Sequence, residues 1–231
     1  PWGDKDHMVF KFYAYPSSPL GINTDLVKSE EIKSYYDLLA PKWKGKIAMN
    51  DPSLAGIGFN TFSSLIYNKA LDLDYFRQLI QQQPIIVRDQ RLQIDWVAKA
   101  KYSVALWPQP GPLSEYKEAG APVAFIPTPK EGAQLSVGGG ALSLLKRPAH
   151  PNAARVFINW LLSREGQTFM QNTQQLQTAR VDVSAEGIDP LKIRTPGAKY
   201  FMAANTIEEW ILKEQDRYQE IAGQVFSSLL K

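Results

Sequence analysis

The sequence predicts an α/β protein: a layered domain with a largely parallel sheet, followed by a helical segment with almost no strands of its own. Three observations predict it. Between residues 8 and 126 short β-favouring runs alternate with stretches of helical apolar spacing, the rhythm of strand and helix units packed in layers. In the middle of that rhythm Ala48 to Thr61, AMNDPSLAGIGFNT, passes from an apolar strand end through small residues into a helix. Beyond residue 150 the spacing is helical almost throughout.

Each element has a local reason. Met8 to Tyr15 is rich in aromatic and β-favouring residues and reads as a strand, interrupted by Pro16 and Pro19 and resumed at Leu20-Gly21-Ile22. Ser29-Glu30-Glu31 caps a short helix whose apolar side carries Ile32, Tyr35, Leu38 and Leu39. Ile47 to Met49 is the strand feeding the glycine loop, and Phe59, Phe62, Leu65 and Ile66 recur at helical spacing after it. Asp72 or Asp74 opens a helix over Tyr75 to Gln82; Ile85 to Val87 is a short strand; Leu92 to Ala100 is a helix. Val104 to Leu106 is a strand that ends at Trp107-Pro108-Gln109-Pro110-Gly111-Pro112, which the prolines bar from regular structure. Val123 to Ile126 is a further strand, and residues 136–145 form a glycine-rich extended segment. From Pro151 a helix carries the stripe Ala154, Phe157, Ile158, Leu161 and Leu162, with Gly166 as its cap. Ile207, Trp210, Ile211, Tyr218, Ile221, Ala222, Val225 and Leu229 mark a long C-terminal amphipathic helix.

Composition narrows the function. In 231 residues, 44% hydrophobic and 21% charged, the 26 basic and 23 acidic side chains are interspersed, which argues against a nucleic-acid surface. No cysteine exists, so disulfides and thiolate metal sites are excluded. No apolar run approaches the roughly 20 residues of a membrane span. A hydrolase triad needs a general base, and His7 and His150 sit in a polar N-terminal stretch and a proline-flanked loop. Tyr35 and Tyr36 occupy consecutive helical positions, so their rings diverge, one packing and one facing solvent. Asp89 and Asp95 read as a helix cap and a solvated face. Neither GxGxxG nor GxxxxGK[ST] occurs.

What the chain does offer is a set of polar and aromatic residues at strand ends, where open α/β sheets bind ligands. Tyr15 and Ser17 lie near the proline break; Asp51, Ser53, Gly56, Gly58, Asn60 and Thr61 form the loop; Arg91, Trp107, Gln109 and Arg180 complete the set. A helix N-terminus presents unpaired N–H groups and a partial positive charge, so the loop suits a carboxylate, phosphate or other polar ligand. The same residues would equally serve a merely structural turn.

Several stretches also carry a family likeness. Pro19-Leu20-Gly21-Ile22-Asn23-Thr24-Asp25-Leu26-Val27, then Tyr36 to Ile47 (YDLLAPKWKGKI), then Asp51-Pro52-Ser53, and finally Ala149 to Ala154 (AHPNAA) with Trp160 to Gln167 (WLLSREGQ), resemble the extracellular solute-binding proteins of ABC importers. The branch resembled includes ferric-iron, thiamine and phosphonate binders.

That resemblance implies a type II periplasmic-binding fold, two α/β lobes closing on a solute, with no catalytic residue and no cofactor. By it, residues 1–22 are the end of the first lobe and the first crossing between lobes, 23–135 the second lobe, and 136–231 the return crossing and the C-terminal helices of the first lobe. Such proteins usually begin with a secretion signal and first-lobe strands that are not seen here, so the chain reads as truncated, its first lobe a mainly helical remnant. The implied partners are a small-molecule ligand and a membrane permease, the implied location periplasmic or extracellular, and the stripe on Ala153 to Leu162 is expected to drive self-association. Trp107-Pro108-Gln109 stands where the iron branch carries a tyrosine pair, so a phenolate iron site is not expected and a polar or anionic solute is. Two rivals remain: a small-molecule-sensing domain of a regulator, and a phosphate-handling transferase on a similar sheet.

Overall fold

Residues 17–134 and 197–231 form one compact unit, and residues 1–16 and 135–196 another, in a computed structural model that describes residues 6–13, 15–17, 19–136, 140–203, 210 and 213–230. The larger unit holds a five-stranded sheet. Its strands are β3 (Leu20–Asn23), β4 (Ile47–Asn50), β5 (Ile85–Val87), β6 (Val104–Leu106) and β7 (Val123–Phe125), ordered β5-β4-β6-β3-β7. β4 pairs in parallel with β5 and β6, while β3 runs against both β6 and β7. The sheet is therefore mixed, with two parallel and two antiparallel ladders, because β3 runs against the other four strands; the expectation of a largely parallel sheet holds only for β5, β4 and β6.

Two cores flank this sheet. On one face α1 (Ile57–Tyr67) and α2 (Leu73–Gln81) bury Phe62, Leu65, Tyr75, Phe76 and Leu79 against Leu20, Ile22, Ile47, Met49, Val104 and Leu106. On the other, α3 (Gln90–Ala98) and α4 (Pro110–Glu118) bury Ile94, Val97 and Leu113 against Ala48, Ala105 and Val123. The alternating residues of β4 thus feed both cores, the pattern of a strand covered on both sides.

The local signals resolve as capping contacts. Asp72 accepts from Tyr75 N–H and Asp89 from Leu92 N–H, each opening its helix. Residues Ser29–Glu31 and Tyr35–Leu39 form short 3₁₀ turns in place of one helix, with Tyr35 buried and Tyr36 exposed. A helix that the prolines seemed to forbid is α4. Pro110 stands at its first position, where the missing N–H would have had no partner and the fixed φ already suits a helix.

The C-terminal residues differ from the sequence-based division. Residues 197–231 belong to the larger unit, where α7 (Gln215–Phe226) lays Ala222 and Phe226 on the α1 and α2 face. The rings of Phe62 and Phe226 stand 5.6 Å apart, edge to face. The apolar stripe read from Tyr218 onward is real, and its target is the first core of the larger unit. Ile207 and Ile211, counted in the same stripe, lie outside the described residues, as do residues 137–139 of the return crossing.

The smaller unit is built on two short antiparallel strand pairs and two helices. β1 (Phe10–Lys11) pairs with β9 (Ala141–Leu142), β2 (Tyr15–Pro16) pairs with residues 135–136 of β8 (Ala133–Ser136), and Tyr13 bridges to Thr178. α5 (Pro151–Leu162) and α6 (Arg164–Gln174) meet at Ser163, whose hydroxyl caps α6 through Gly166 N–H. Gly166 is therefore in the first turn of α6 and does not cap α5; a Cβ there would strike the Trp160 carbonyl. Buried Gln167 donates to Leu161 O, ties to Thr178, and holds the two helices together. Leu161 is buried, while Phe157 is 55% and Phe169 57% exposed.

Candidate ligand site

The helices leaving β4 and β6 depart to opposite faces: α1 to the first core, α4 to the second. Adjacent parallel strands that do this leave a crevice beyond their carboxyl ends, the place where open α/β sheets take ligands. Here that crevice is edged by Asn50 at the end of β4, by Asp51 just after it and by Trp107 just after β6. Its floor is held by amides. Asn50 Nδ2 donates to Gln93 Oε1 at 2.7 Å and to Trp107 O at 2.9 Å, and Gln93 Nε2 donates to Ala48 O and Leu106 O, both at 2.9 Å. Gln93 is fully buried and satisfies carbonyls of two neighbouring strands at the point where they part.

Trp107 has φ 57°, a left-handed conformation that a bulky side chain rarely adopts. Its N–H donates to Pro19 O at 2.8 Å, its carbonyl accepts from Asn50, and its ring is 1% exposed. Backbone held in a sparsely populated region persists where surrounding contacts over-determine it.

In the loop, Asp51 is buried and committed. Its Oδ1 accepts from Ser53 N at 2.8 Å and Ser53 Oγ at 2.6 Å, and its Oδ2 accepts from Arg88 Nε at 2.9 Å. Burial by itself would raise the Asp51 carboxyl; the two Ser53 bonds and the Arg88 guanidinium outweigh it and hold the group below its ordinary value. Asp51 and Ser53 are thus turned on each other, with Ser53 Oγ–H already donated. Gly56 has φ 157° and ψ −168°, a region used almost solely by glycine. Gly58 sits in the first turn of α1, and a Cβ there would lie 2.4 Å from Asp51 O and 2.8 Å from Asn50 O. The constraint at Gly58 is close approach and not a positive φ. No side chain caps α1.

Beside this loop a tight pocket is lined by Ser17, Tyr35, Thr61, Trp107, Gln134 and neighbouring apolar groups, with free volume of about 10 Å³. That suits about one water molecule. Ser17, Thr61 and Trp107 are therefore brought together, joined by Tyr35, which the sequence marked only for packing, and by Gln134, which it did not mark. Burial pushes the Tyr35 phenol far above its ordinary range, against the pull of the Trp107 side chain, and burial raises Tyr75 as well. A phenolate is thus disfavoured at either.

The remaining members of the predicted set make other contacts. Arg91 Nη2 pairs with Glu115 Oε2 at 2.6 Å, bridging exposed positions of α3 and α4. Gln109 is exposed at the start of α4. In the smaller unit Tyr15 packs with Phe12, Tyr13 and Leu161, and Arg180 pairs with Asp182 at 2.7 Å. Among the described residues no cluster of three or more His, Cys, Asp or Glu could hold a metal, and no helix is long and apolar enough to cross a membrane.

The chain resembles known proteins in sequence and in fold. An uncharacterised protein of Haemophilus influenzae is 25% identical over 207 residues, 84% of this chain and 58% of that one. A solved structure described as a two-component system protein mediating signal transduction is 26% identical, with a TM-score of 0.60, over 80% of this chain and 60% of the other. The periplasmic binding protein AfuA of Actinobacillus pleuropneumoniae, solved with fructose 6-phosphate, is 23% identical with a TM-score of 0.62, covering 97% of this chain and 70% of that one. The ferric binding protein of Campylobacter jejuni shares the fold at 16% identity and a TM-score of 0.62, over 98% of this chain and 71% of its own. The chain thus spans about 60% of the length of the first two. The fold is that of type II periplasmic binding proteins. Over residues 12–173 the chain matches the bacterial extracellular solute-binding proteins, the family to which it belongs.

Proposed function

We propose that this chain captures a small phosphorylated polar solute for an ABC importer, working outside the cytoplasmic membrane and delivering to a membrane permease. The observation that carries the reading is the crevice between β4 and β6, onto which the uncapped N-terminus of α1 opens beside a glycine-tight loop. Backbone N–H groups and the helix dipole favour an anion there without a dedicated basic side chain. Asp51 does not oppose this, because its carboxylate is neutralised within the loop by Ser53 and Arg88. Asn60 and Thr61 add side-chain polar groups to the first turns of α1. AfuA, whose structure holds fructose 6-phosphate, supports the phosphorylated class.

Ferric iron is the competing cargo, as the Campylobacter protein shows for the fold. It is disfavoured here because the buried phenols of Tyr35 and Tyr75 resist ionisation. Calorimetry with fructose 6-phosphate, inorganic phosphate and ferric citrate separates the two. Binding of either phosphate compound, weakened about fivefold in Thr61→Val, is expected, one lost hydrogen bond being worth on the order of 1 kcal/mol. A visible phenolate band with iron and no phosphate binding would overturn the reading. The reading includes closure of two lobes on the solute, which small-angle scattering with and without fructose 6-phosphate tests.

A second reading is favoured by the two-component description of one similar structure: the loaded protein signals to a membrane sensor kinase instead of a permease. Reconstitution with each partner distinguishes them, since solute should strengthen binding to one and not the other.

A further inference from the structure

Trp107 and Gln134 both line the tight pocket of the larger unit, and each carries an unmet demand. Trp107 Nε1–H and Gln134 Oε1 are buried without a hydrogen-bond partner. The Tyr35 phenol lies close enough to the indole to feel its pull, but the two do not meet in hydrogen-bond geometry. Buried polar groups are rarely left unpaired, so an orphaned donor and an orphaned acceptor on one pocket point to a group that the chain itself does not supply.

Their chemistry specifies that group. The indole N–H can only donate, and the amide oxygen can only accept. A single atom that serves both must accept one hydrogen bond and donate another, which a hydroxyl or a water does. A carboxylate or phosphate oxygen would satisfy the indole and confront the Gln134 oxygen with a second acceptor; an ammonium would satisfy Gln134 and leave the indole unpaired. Thr61, Ser17 and Tyr35 on the same lining carry rotatable hydroxyls that adapt to either direction. The free volume of about 10 Å³ admits one such oxygen and little more.

We propose that this pocket is a hydroxyl subsite: it takes one hydroxyl group of the bound solute, with a water in its place when the protein is empty. This rests on the solute-binding reading above and narrows it, because the solute then carries a free hydroxyl as well as its anionic group. Polyhydroxylated phosphates fit and inorganic phosphate does not reach the subsite. A site with fixed, buried polar partners rejects analogues that lack the matching group more strongly than an apolar pocket rejects a change of size.

The experiment uses the full chain, labelled with ¹⁵N-tryptophan, with the Trp107 indole signal identified by its loss in Trp107→Phe. In the solute-free protein a cross-peak between that indole proton and a long-lived water is expected; its absence, marking a dry pocket, would overturn the proposal. Fructose 6-phosphate should then remove the water cross-peak, whereas inorganic phosphate should leave it. A cross-peak that persists at saturating fructose 6-phosphate would mean a permanent structural water and would overturn the solute-hydroxyl assignment. Trp107→Phe and, independently, Gln134→Met should each weaken fructose 6-phosphate by about fivefold to tenfold and leave inorganic phosphate unchanged; equal losses for both compounds, or none, would refute it. If neither phosphate compound binds, the phosphorylated-solute reading fails by itself. The subsite is then decided by a phosphate-free polyol, sorbitol, which should displace the water at high concentration and refutes the proposal if it does not.

Discussion

Replacing Gly58 by alanine tests the loop where it is most constrained. The added Cβ would stand 2.4 Å from Asp51 O, 2.7 Å from Asp51 C and 2.8 Å from Asn50 O, whereas ordinary contact begins near 3.4 Å. Either α1 or the strand end must retreat by about 1 Å, and overpacking of this kind costs ~1–3 kcal/mol. Neither side yields easily: Asn50 is tied to Gln93 and Trp107, and Asp51 N–H donates to Val87 O. Against that, glycine to alanine within a helix gains ~1 kcal/mol. The net expectation is a loss of up to about 2 kcal/mol, or up to about 8 °C in Tm for a chain of this size. Gly223→Ala supplies the control, since a Cβ in that helix meets nothing within 4 Å. Thermal and urea unfolding should show Gly58→Ala destabilised and Gly223→Ala neutral or stabilised. Equal stability of the two variants would refute the close-approach argument, and with it the idea that this glycine brings the helix end up to the crevice.

Other perturbations follow from the same contacts. Asp51 has a lowered folded pKa, so its stabilisation is present above the ordinary value of 3.8 and is lost as pH falls through the folded value; Asp51→Asn should flatten acid unfolding in that window, measured by circular dichroism. Phe226→Ala should cost ~3–5 kcal/mol in urea unfolding if α7 completes the first core, and less than 1 kcal/mol, as an order-of-magnitude bound, if it does not. Gln93→Leu keeps the volume but strips partners from the Ala48 and Leu106 carbonyls and from Asn50, so a loss of ~1–3 kcal/mol is expected, with hydrogen exchange quickened at Trp107 N–H. Phe157→Asp should abolish the concentration-dependent sedimentation expected of the exposed α5 face, and a wild-type chain that sediments as a monomer at every concentration would remove that expectation.

The strands, their alternation with helices and the helix caps at Asp72 and Asp89 were legible because each depends on residues adjacent in sequence. So was the importance of the Asp51 to Thr61 stretch, where small residues and a helix start coincide. What the sequence hid is long-range. Tyr35 and Gln134 reach the pocket from turns and a strand distant in sequence, and neither has a local signature of that role. Arg91 could be read as a ligand contact or as half of a surface salt bridge, and only the fold supplies Glu115, on another helix, as the partner. The commitment of Asp51 and Ser53 to each other, by contrast, lies two residues apart and follows the habit of aspartate to bind the backbone just beyond it. α4 was missed through reading prolines as breakers without asking which turn of a helix they would occupy.

The larger unit is closed by residues far apart in the chain, and this sets an order of events in its folding. Phe62, Leu65, Phe76 and Leu79 are synthesised long before Ala222 and Phe226, which cover the same face. Until residues 197–231 are made, and residues 135–196 between them are out of the way, the first core has one side open to water. Late closure of a non-local contact slows folding and leaves apolar surface available for wrong partners. A nascent chain ending before residue 215 should therefore hold a formed sheet yet still recruit chaperones, and release them once α7 arrives.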